Sequence, residues 1–301
     1  MFSQFFGSYL LKRGFITAPQ LRDVLALQDS VRVKIGVLAI DAGYMTAEQV
    51  EHTNKLQAQF DKRFGEIAID KGYMTEENLT EILSQQNKRH LLISQALLDS
   101  GLLSFEEIAR VLEDFRKDSG LNEAELDALK KNDIDTVTKA IVKMPDLGDP
   151  HVYGEYFSLL VRNIVRFIDG NIMVQPAEKI QEDSFQALVH QEMDGRFKIY
   201  TGICGSLEGM TEFARCFAKM DITSFDALAI DSLSEFMNMH NGLFLSKLSN
   251  EWVELELYPS ESKTDGTLKS IGVVYKVPFN LPFGEFAFYI GLGSPVFKSM
   301  Q

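Results

Sequence analysis

The sequence is poor in cysteine and has no long apolar run. Its two cysteines, Cys204 and Cys216, do not form a CxxC pair, so a disulfide framework or a zinc site has little support. No apolar run approaches the ~18 residues of a membrane span. The apolar start is interrupted by Lys12-Arg13 and lacks the features of a signal peptide. These absences predict a soluble, cytoplasmic protein with no membrane span and no metal site.

Basic residues are also in deficit. The chain has 30 Lys and Arg against 43 Asp and Glu, a net charge of -13, and residues 119–301 alone hold 16 against 26. Such a surface repels a phosphate backbone, so a nucleic acid polymer is not an expected partner of this half. With 45% hydrophobic residues, a chain of 301 residues favours two folded domains over one.

The first half contains an internal repeat of 29 residues in four units. The positions in register are Gly14, Gly43, Gly72 and Gly101; Thr17, Thr46, Thr75 and Ser104; and Leu21, Val50, Leu79 and Ile108. Each unit reads as a short helix that ends at a glycine with positive φ, followed by a second helix that the Thr or Ser caps. The pattern predicts all-α helical repeats over residues 1–118.

The repeats resemble a known nucleotide-binding module. The pattern GxxxxxxGxxTxxxLxxxLxxQ runs over Gly7–Gln28 and again over Gly65–Gln86, and it resembles the MshEN domain of type II secretion and pilus ATPases, which binds cyclic di-GMP. The resemblance implies a cyclic di-GMP site formed by Lys34, Gly36, Gln57, Arg63, Gly65 and Gln86. The residues alone leave a second interpretation open, in which glycines and caps only build helical hairpins and both cations are solvated.

The pattern changes in the middle of the chain. Residues 119–149 are charged and end near two prolines, and Asn122 with Glu125 forms a capping box. They predict a helical linker. From residue 150 onward a helix is followed by runs that alternate apolar and polar residues. This half predicts an α+β domain with helices on a largely antiparallel sheet, over residues 150–301.

One helical segment of the second half carries a spaced polar motif. In DSLSEFMNMHNG, residues 231–242, four residues at i, i+4, i+7 and i+11 share one stripe of a helix: Asp231, Glu235, Asn238 and Gly242. A solvated helix face is the plain alternative, because Glu and Asn three residues apart are common on exposed helices. The neighbouring His240 is expected to be a packing or surface residue.

This motif resembles the one shared by the CheC, CheX and FliY chemotaxis phosphatases. The resemblance extends over about residues 151–301 and includes GICGSLEG before the motif and VPFNLPFGEFAFYIGL at the end. It implies hydrolysis of the aspartyl phosphate of a CheY-like response regulator, which itself supplies Mg2+ and a lysine. Asn238 would orient the attacking water and Glu235 would contact that lysine, with Asp231 and Gly242 in supporting roles.

The expected function is therefore a response-regulator phosphatase with an N-terminal regulatory or targeting module. The chain itself is expected to need no cofactor, and cyclic di-GMP is the implied regulatory ligand. The resemblance also implies a homodimer through the CheX-like domain. The alternatives are a non-catalytic cyclic di-GMP sensor that docks a response regulator, and a protein-protein adaptor.

Overall fold

The computed structural model describes residues 1–28, 30–60, 62–84, 88–250 and 252–299. Its contacts divide the chain into two compact units, Phe2–Asn132 and Asp133–Gln301. No helix among the described residues is long and apolar enough to cross a membrane.

The first unit contains only helices within its described residues. They are α1 (Phe2–Lys12), α2 (Ala18–Leu27), α3 (Ile35–Asp41), α4 (Ala47–Gln57), α5 (Phe64–Asp70), α6 (Glu76–Ser84), α7 (Leu92–Asp99), α8 (Phe105–Asp118) and α9 (Glu123–Lys131), with a 3-10 turn at Arg89–Leu91. Apolar side chains such as Val37, Leu38, Val50 and Ile82 form a core between them. The apolar stripes of α3, α4, α5 and α6 are thus covered by other helices of the unit.

Local signals set the ends of these helices. The glycines that follow the first helix of each 29-residue repeat have φ between 67° and 74°: Gly14, Gly43, Gly72 and Gly101. At the start of α4 the Thr46 amide donates to Gln49 Oε1 at 2.8 Å, and the Gln49 amide donates to Thr46 Oγ1 at 3.2 Å. The predicted helix ends and caps are present at these positions. The resemblance of the array to the MshEN domain stays a prediction.

The segment predicted as a linker is helical. It contains α9, whose first turn is capped by Asn122, and α10 (Ile134–Ile141). The two helices belong to different compact units, because the division falls between Asn132 and Asp133. The domain limits predicted from the sequence, at residues 118 and 150, stay predictions.

The second unit combines helices with an antiparallel sheet. Besides α10, its elements are α11 (Pro150–Phe167), α12 (Leu207–Ala218) and α13 (Ala227–Asn250), a 3-10 turn at Pro145–Leu147, and the strands β1 (Met173–Val174), β2 (Glu178–Gly195), β3 (Ile199–Gly205), β4 (Leu255–Leu257), β5 (Glu261–Leu281), β6 (Gly284–Leu292) and β7 (Val296–Ser299). The strand order is β1-β5-β6-β3-β2-β4, with β7 on β5. The described pairings are antiparallel, which confirms the predicted sheet type.

Both faces of the sheet carry buried side chains. Side chains of α11, α12 and α13 pack with inward-facing residues of the strands in one large core that includes Phe157, Phe213 and Phe288. Tyr200 and Tyr289 belong to a second, smaller cluster of buried residues. The long strand β2 pairs with β5 over Glu178–His190 as well as with β3. β2 also contacts α13, where the candidate site lies, through a hydrogen bond from Gln191 to Asn238.

Candidate functional site

The candidate site is on α13, the helix that carries the spaced polar motif. Asp226 caps its start, since Oδ1 accepts the amides of Leu228 at 3.0 Å and Ala229 at 3.2 Å. The pKa of Asp226 is lowered from its ordinary value, mainly because the Ala229 amide donates a hydrogen bond to the carboxylate. Buried residues along the helix, among them Leu233 and Phe244, fix it against the core. Because the inner stripe is fixed, the opposite stripe faces outward in one defined orientation.

The four motif residues follow that outward stripe. Asp231 and Glu235 are exposed, and Asn238 and Gly242 are half-buried. Among the described residues neither carboxylate has an ion pair or a side-chain hydrogen bond. A Cβ atom added to Gly242 would have no neighbour within 4 Å. The structure therefore brings the motif together on an open surface.

The carboxamide of Asn238 is held by strand β2. Gln191 Nε2 donates to Asn238 Oδ1 at 2.6 Å and to the carbonyl oxygen of Tyr258 at 2.8 Å. Asn238 Nδ2 has no hydrogen-bond partner within the part of the chain that the structure describes. One end of this amide is thus anchored to the protein, and the other end is free to bind a group from outside.

A buried polar network continues behind Gln191. Asn241 Nδ2 donates to Gln191 Oε1 at 2.8 Å and to Thr201 Oγ1 at 3.1 Å. The hydroxyl of Tyr156 donates to Asn241 Oδ1 at 2.7 Å. Asn241, Thr201 and Tyr156 are fully buried. These bonds satisfy polar groups that would otherwise be costly to bury, and they tie α13 to α11, β2 and β3.

His240 is a packing residue. Its ring is fully buried, 4.5 Å from the Tyr156 ring centroid, and Nδ1 lies 3.2 Å from Asn163 Nδ2. Burial lowers the pKa of His240 to about 3. A neutral imidazole enclosed in the core is not available to an external substrate, which agrees with the interpretation from the sequence.

Sequence reasoning did not find Gln191, Asn241 or Tyr258. Asn241 carried one signal, because it lies three residues after Asn238 on a helix whose buried residues are mostly apolar. Gln191 lies between a histidine and a glutamate on β2, so the local sequence does not mark it as a buried polar residue. Tyr258 contributes a backbone carbonyl, which no side-chain pattern reveals.

The residues predicted to bind cyclic di-GMP are only partly brought together. Lys34, Gly36 and Gln57 line one cavity of about 660 Å³ in the first unit. Arg63 and Gly65 are not among its lining residues, and Gln86 lies outside the described residues. Lys34 Nζ lies 2.7 Å from Asp99 Oδ1, so its charge is already paired. The predicted ligand role of these residues stays a prediction.

No described part of the chain holds a group of three His, Cys, Asp or Glu side chains that could bind a metal ion. The carboxylate of Asp41 lies among three basic side chains of the first unit. It is contacted by Lys88 at 3.0 Å and Lys130 at 3.3 Å, with His90 at 3.5 Å. Two lysines make this an ion-pair cluster that stabilises the first unit.

No protein-family model and no curated protein matches the chain. Among solved structures, the chain is similar to the chemotaxis protein CheX from Vibrio vulnificus, at 12% identity and a TM-score of 0.41, over 48% of this chain and 99% of that one. It is also similar to CheX from Desulfovibrio desulfuricans, at 13% identity and a TM-score of 0.41, over 48% of this chain and 99% of that one.

A third similar structure is a complex. It is the complex of CheX and CheY from Borrelia burgdorferi with BeF3 and Mg2+. The matched chain has 14% identity and a TM-score of 0.37, and the match covers 47% of this chain and 97% of that one. The structural neighbours are thus CheX- and CheC-like chemotaxis proteins that match about half of the chain.

Proposed function

We propose that this protein is a phosphatase that hydrolyses the aspartyl phosphate of a CheY-like response regulator. The observation that carries the proposal is the state of Asn238. Its carboxamide is anchored through Oδ1 on an outward stripe of α13, its Nδ2 is unpaired among the described residues, and the unpaired carboxylate of Glu235 lies one turn earlier. A helix that only needed solvation would have no reason to anchor an amide in this way.

The reaction requires an ordered water. In it the water oxygen forms a bond to phosphorus, the bond from phosphorus to the aspartyl oxygen breaks, and inorganic phosphate and the free carboxylate leave. A neutral amide can hold such a water in line without adding negative charge beside the phosphoryl oxygens. Asn238 has this role in the proposal, and the regulator supplies the phosphoryl group, Mg2+ and a lysine.

Glu235 provides the docking contact in the proposal. Its carboxylate is exposed and has no partner among the described residues, so it is available to the regulator's lysine as a charge-assisted hydrogen bond. Asp231 adds a second exposed carboxylate one turn earlier. Gly242 leaves open space one turn after Asn238, so the partner's backbone can approach α13 there.

The test follows the loss of phosphoryl groups from candidate CheY-like regulators that have been phosphorylated with acetyl phosphate and Mg2+. Wild-type protein should accelerate the loss from its cognate regulator, and Asn238→Ala should lower the rate about 100-fold. Asn250→Ala, the same change at an exposed site on the same helix, is the matched control and should keep the wild-type rate. Binding of a regulator with no acceleration by wild type would overturn the catalytic assignment.

Glu235 is tested by affinity. Glu235→Gln should raise the regulator KM about tenfold, the effect of ~1.4 kcal/mol of lost charge-assisted binding. Glu182→Gln removes the same charge from an exposed position on β2, and this control should leave KM unchanged. Equal effects of the two changes would show that only net charge matters.

A chemotaxis or other two-component output, a cytoplasmic location and a homodimer through the second unit belong to the same proposal. Light scattering of the purified chain tests the dimer, since a monomer at working concentration would exclude it.

The cavity beside Lys34 favours a second candidate function, a cyclic di-GMP sensor or adaptor that docks a response regulator. The cavity of about 660 Å³ has the polar side chains of Arg32, Asn54 and Gln57 on its wall and apolar Phe64 and Phe105 beside them, a mixture that suits a nucleotide.

Calorimetric titration with cyclic di-GMP tests this second candidate. Binding should be lost in Lys34→Met, which changes a lining residue of the cavity, and kept in Lys55→Met, which changes an exposed lysine of α4. Absence of binding to wild type would leave the repeats as a helical adaptor.

A further inference from the structure

The orientation of the Asn238 amide is determined by Gln191 and by two backbone carbonyl groups. We propose that Gln191 is a positioning residue, which turns Asn238 Oδ1 inward and presents Asn238 Nδ2 to the attacking water. The inference rests on the proposed phosphatase function and assigns a role to a residue outside the motif, 47 positions from Asn238 in the sequence.

The first determinant is the carbonyl oxygen of Tyr258. A carbonyl oxygen only accepts hydrogen bonds, so the Gln191 atom that lies 2.8 Å from it has to be the donor Nε2. The same Nε2 contacts Asn238 at 2.6 Å. Asn238 therefore has to present its acceptor, Oδ1, and its Nδ2 points away from Gln191.

The second determinant is the carbonyl oxygen of Gln191 itself. It accepts the hydroxyl hydrogen of Thr201 at 3.1 Å, so Thr201 Oγ1 can only accept from Asn241. Asn241 then turns Nδ2 toward Thr201 and Gln191, and Gln191 has to face it with Oε1. The bonds through Thr201 and Asn241 therefore give the Gln191 amide the same orientation as the bond to Tyr258, with Oε1 toward Asn241 and Nε2 toward Tyr258.

The surroundings keep the network in this direction. Gln191 is only 1% exposed, and Asn241 and Thr201 are inaccessible to solvent. Reversal of the Gln191 amide would place its Oε1 against the carbonyl oxygen of Tyr258, so that two acceptors face each other. An unmade buried hydrogen bond costs about 1–3 kcal/mol. Asn238 is thus held before a regulator binds, and both Nδ2 hydrogens and the second lone pair of Oδ1 are left for the water.

The first experiment measures the orientation without any substrate. In 15N-labelled protein transferred to D2O, the side-chain amide of Gln191 should exchange at least about 100-fold more slowly than that of Asn238. A wild-type Asn238 amide as protected as that of Gln191 would overturn the proposal, even if no regulator is dephosphorylated.

The second experiment measures kinetics with the cognate phosphorylated regulator. Gln191→Leu removes the donor at similar volume and should lower kcat about 10- to 100-fold, with KM within about twofold of wild type. Tyr289→Phe is the control, because it removes a hydroxyl that donates to Asp183 at 2.7 Å away from α13. It should lose stability but keep kcat.

The outcomes separate the two ideas. If Gln191→Leu keeps the wild-type kcat, or loses activity only in proportion to its stability as the control does, then Gln191 is merely structural and the proposal is wrong. If wild type hydrolyses no phosphoryl group, the proposed function fails and the amide exchange alone decides the orientation.

Discussion

Gly36 lies so close to Val50 that a Cβ atom on the glycine would be 2.7 Å from Val50 Cγ1. The same relationship recurs in the repeat before and in the repeat after. A Cβ atom on Gly7 would be 2.5 Å from the Leu21 side chain, and a Cβ atom on Gly65 would be 2.6 Å from the Leu79 side chain. Real Cβ atoms do not approach other heavy atoms so closely. The side chain of Val50 is branched at Cβ and stiff, so the contact between the two helices of this repeat requires Gly36, whether or not a ligand also uses it. At Gly7 and Gly65 the opposing atoms are the flexible ends of leucine side chains.

We expect Gly36→Ala to lower the free energy of unfolding of the first unit by about 1–3 kcal/mol, as overpacking does. Urea denaturation followed by circular dichroism measures the change. In the Val50→Ala background the same substitution should cost less than about 1 kcal/mol, because the clashing methyl group is absent. An equal cost in both backgrounds would exclude Val50 as the cause.

Asn238 and Asn241 should respond differently to the same substitution. Asn241→Ala leaves the Tyr156 hydroxyl and Gln191 Oε1 without their hydrogen-bond partner and should cost about 2–5 kcal/mol, whereas Asn238→Ala leaves Gln191 Nε2 bonded to Tyr258 and should cost less than about 1 kcal/mol. Thermal denaturation of the two variants makes the comparison. Similar losses would mean that Asn238 is a core residue and would weaken its catalytic assignment.

The sequence predicted features that depend on neighbours in the chain. The cap at Thr46 and the positive φ at Gly43 are set within a few residues, and the shared stripe of Glu235 and Asn238 follows from helical spacing alone. Each of these features is present in the structure.

The sequence could not predict what tertiary packing brings together. Gln191 reaches Asn238 only because the antiparallel sheet places β2 beneath α13. The full length of β2 is not predictable for the same reason, since its first six residues, Glu178–Asp183, are mostly polar and pair with β5 far along the chain. The carbonyl of Tyr258 acts through its position, which residue identity does not encode.

The buried His240 makes stability depend on pH. Its pKa is about 3 in the folded protein against 6.5 ordinarily, so the unfolded chain binds the proton more readily. Stability is fully present above about pH 6.5 and falls as the pH drops toward 3, by about 2 kcal/mol from His240 alone between about pH 7 and pH 5.

Urea denaturation at the two pH values tests this expectation. His240→Gln keeps an acceptor for Asn163 but does not titrate, so it should lose about 2 kcal/mol less than wild type over the interval. Burial also lowers the pKa of His190, to about 4, but that contribution is common to both proteins and cancels. Identical pH profiles would show that His240 is not the group responsible.

Gly242 should show a conflict between stability and function. Glycine within a helix costs about 0.5–1 kcal/mol relative to alanine, and apart from the adjacent residues and the backbone of its own helix no described atom lies within 4 Å of a Cβ added there. Gly242→Ala should therefore raise the melting temperature. If the partner's backbone approaches α13 at this point, the added methyl group should also raise the regulator KM about tenfold or more.

Ser249→Ala is the control for Gly242→Ala, because Ser249 is exposed later on the same helix and the change adds no volume. It should leave KM unchanged. A Gly242→Ala variant that is more stable than wild type and binds the regulator equally well would place the interface elsewhere on the second unit. A more stable variant with weakened binding would show that the glycine is needed for the partner, since no contact among the described residues requires it.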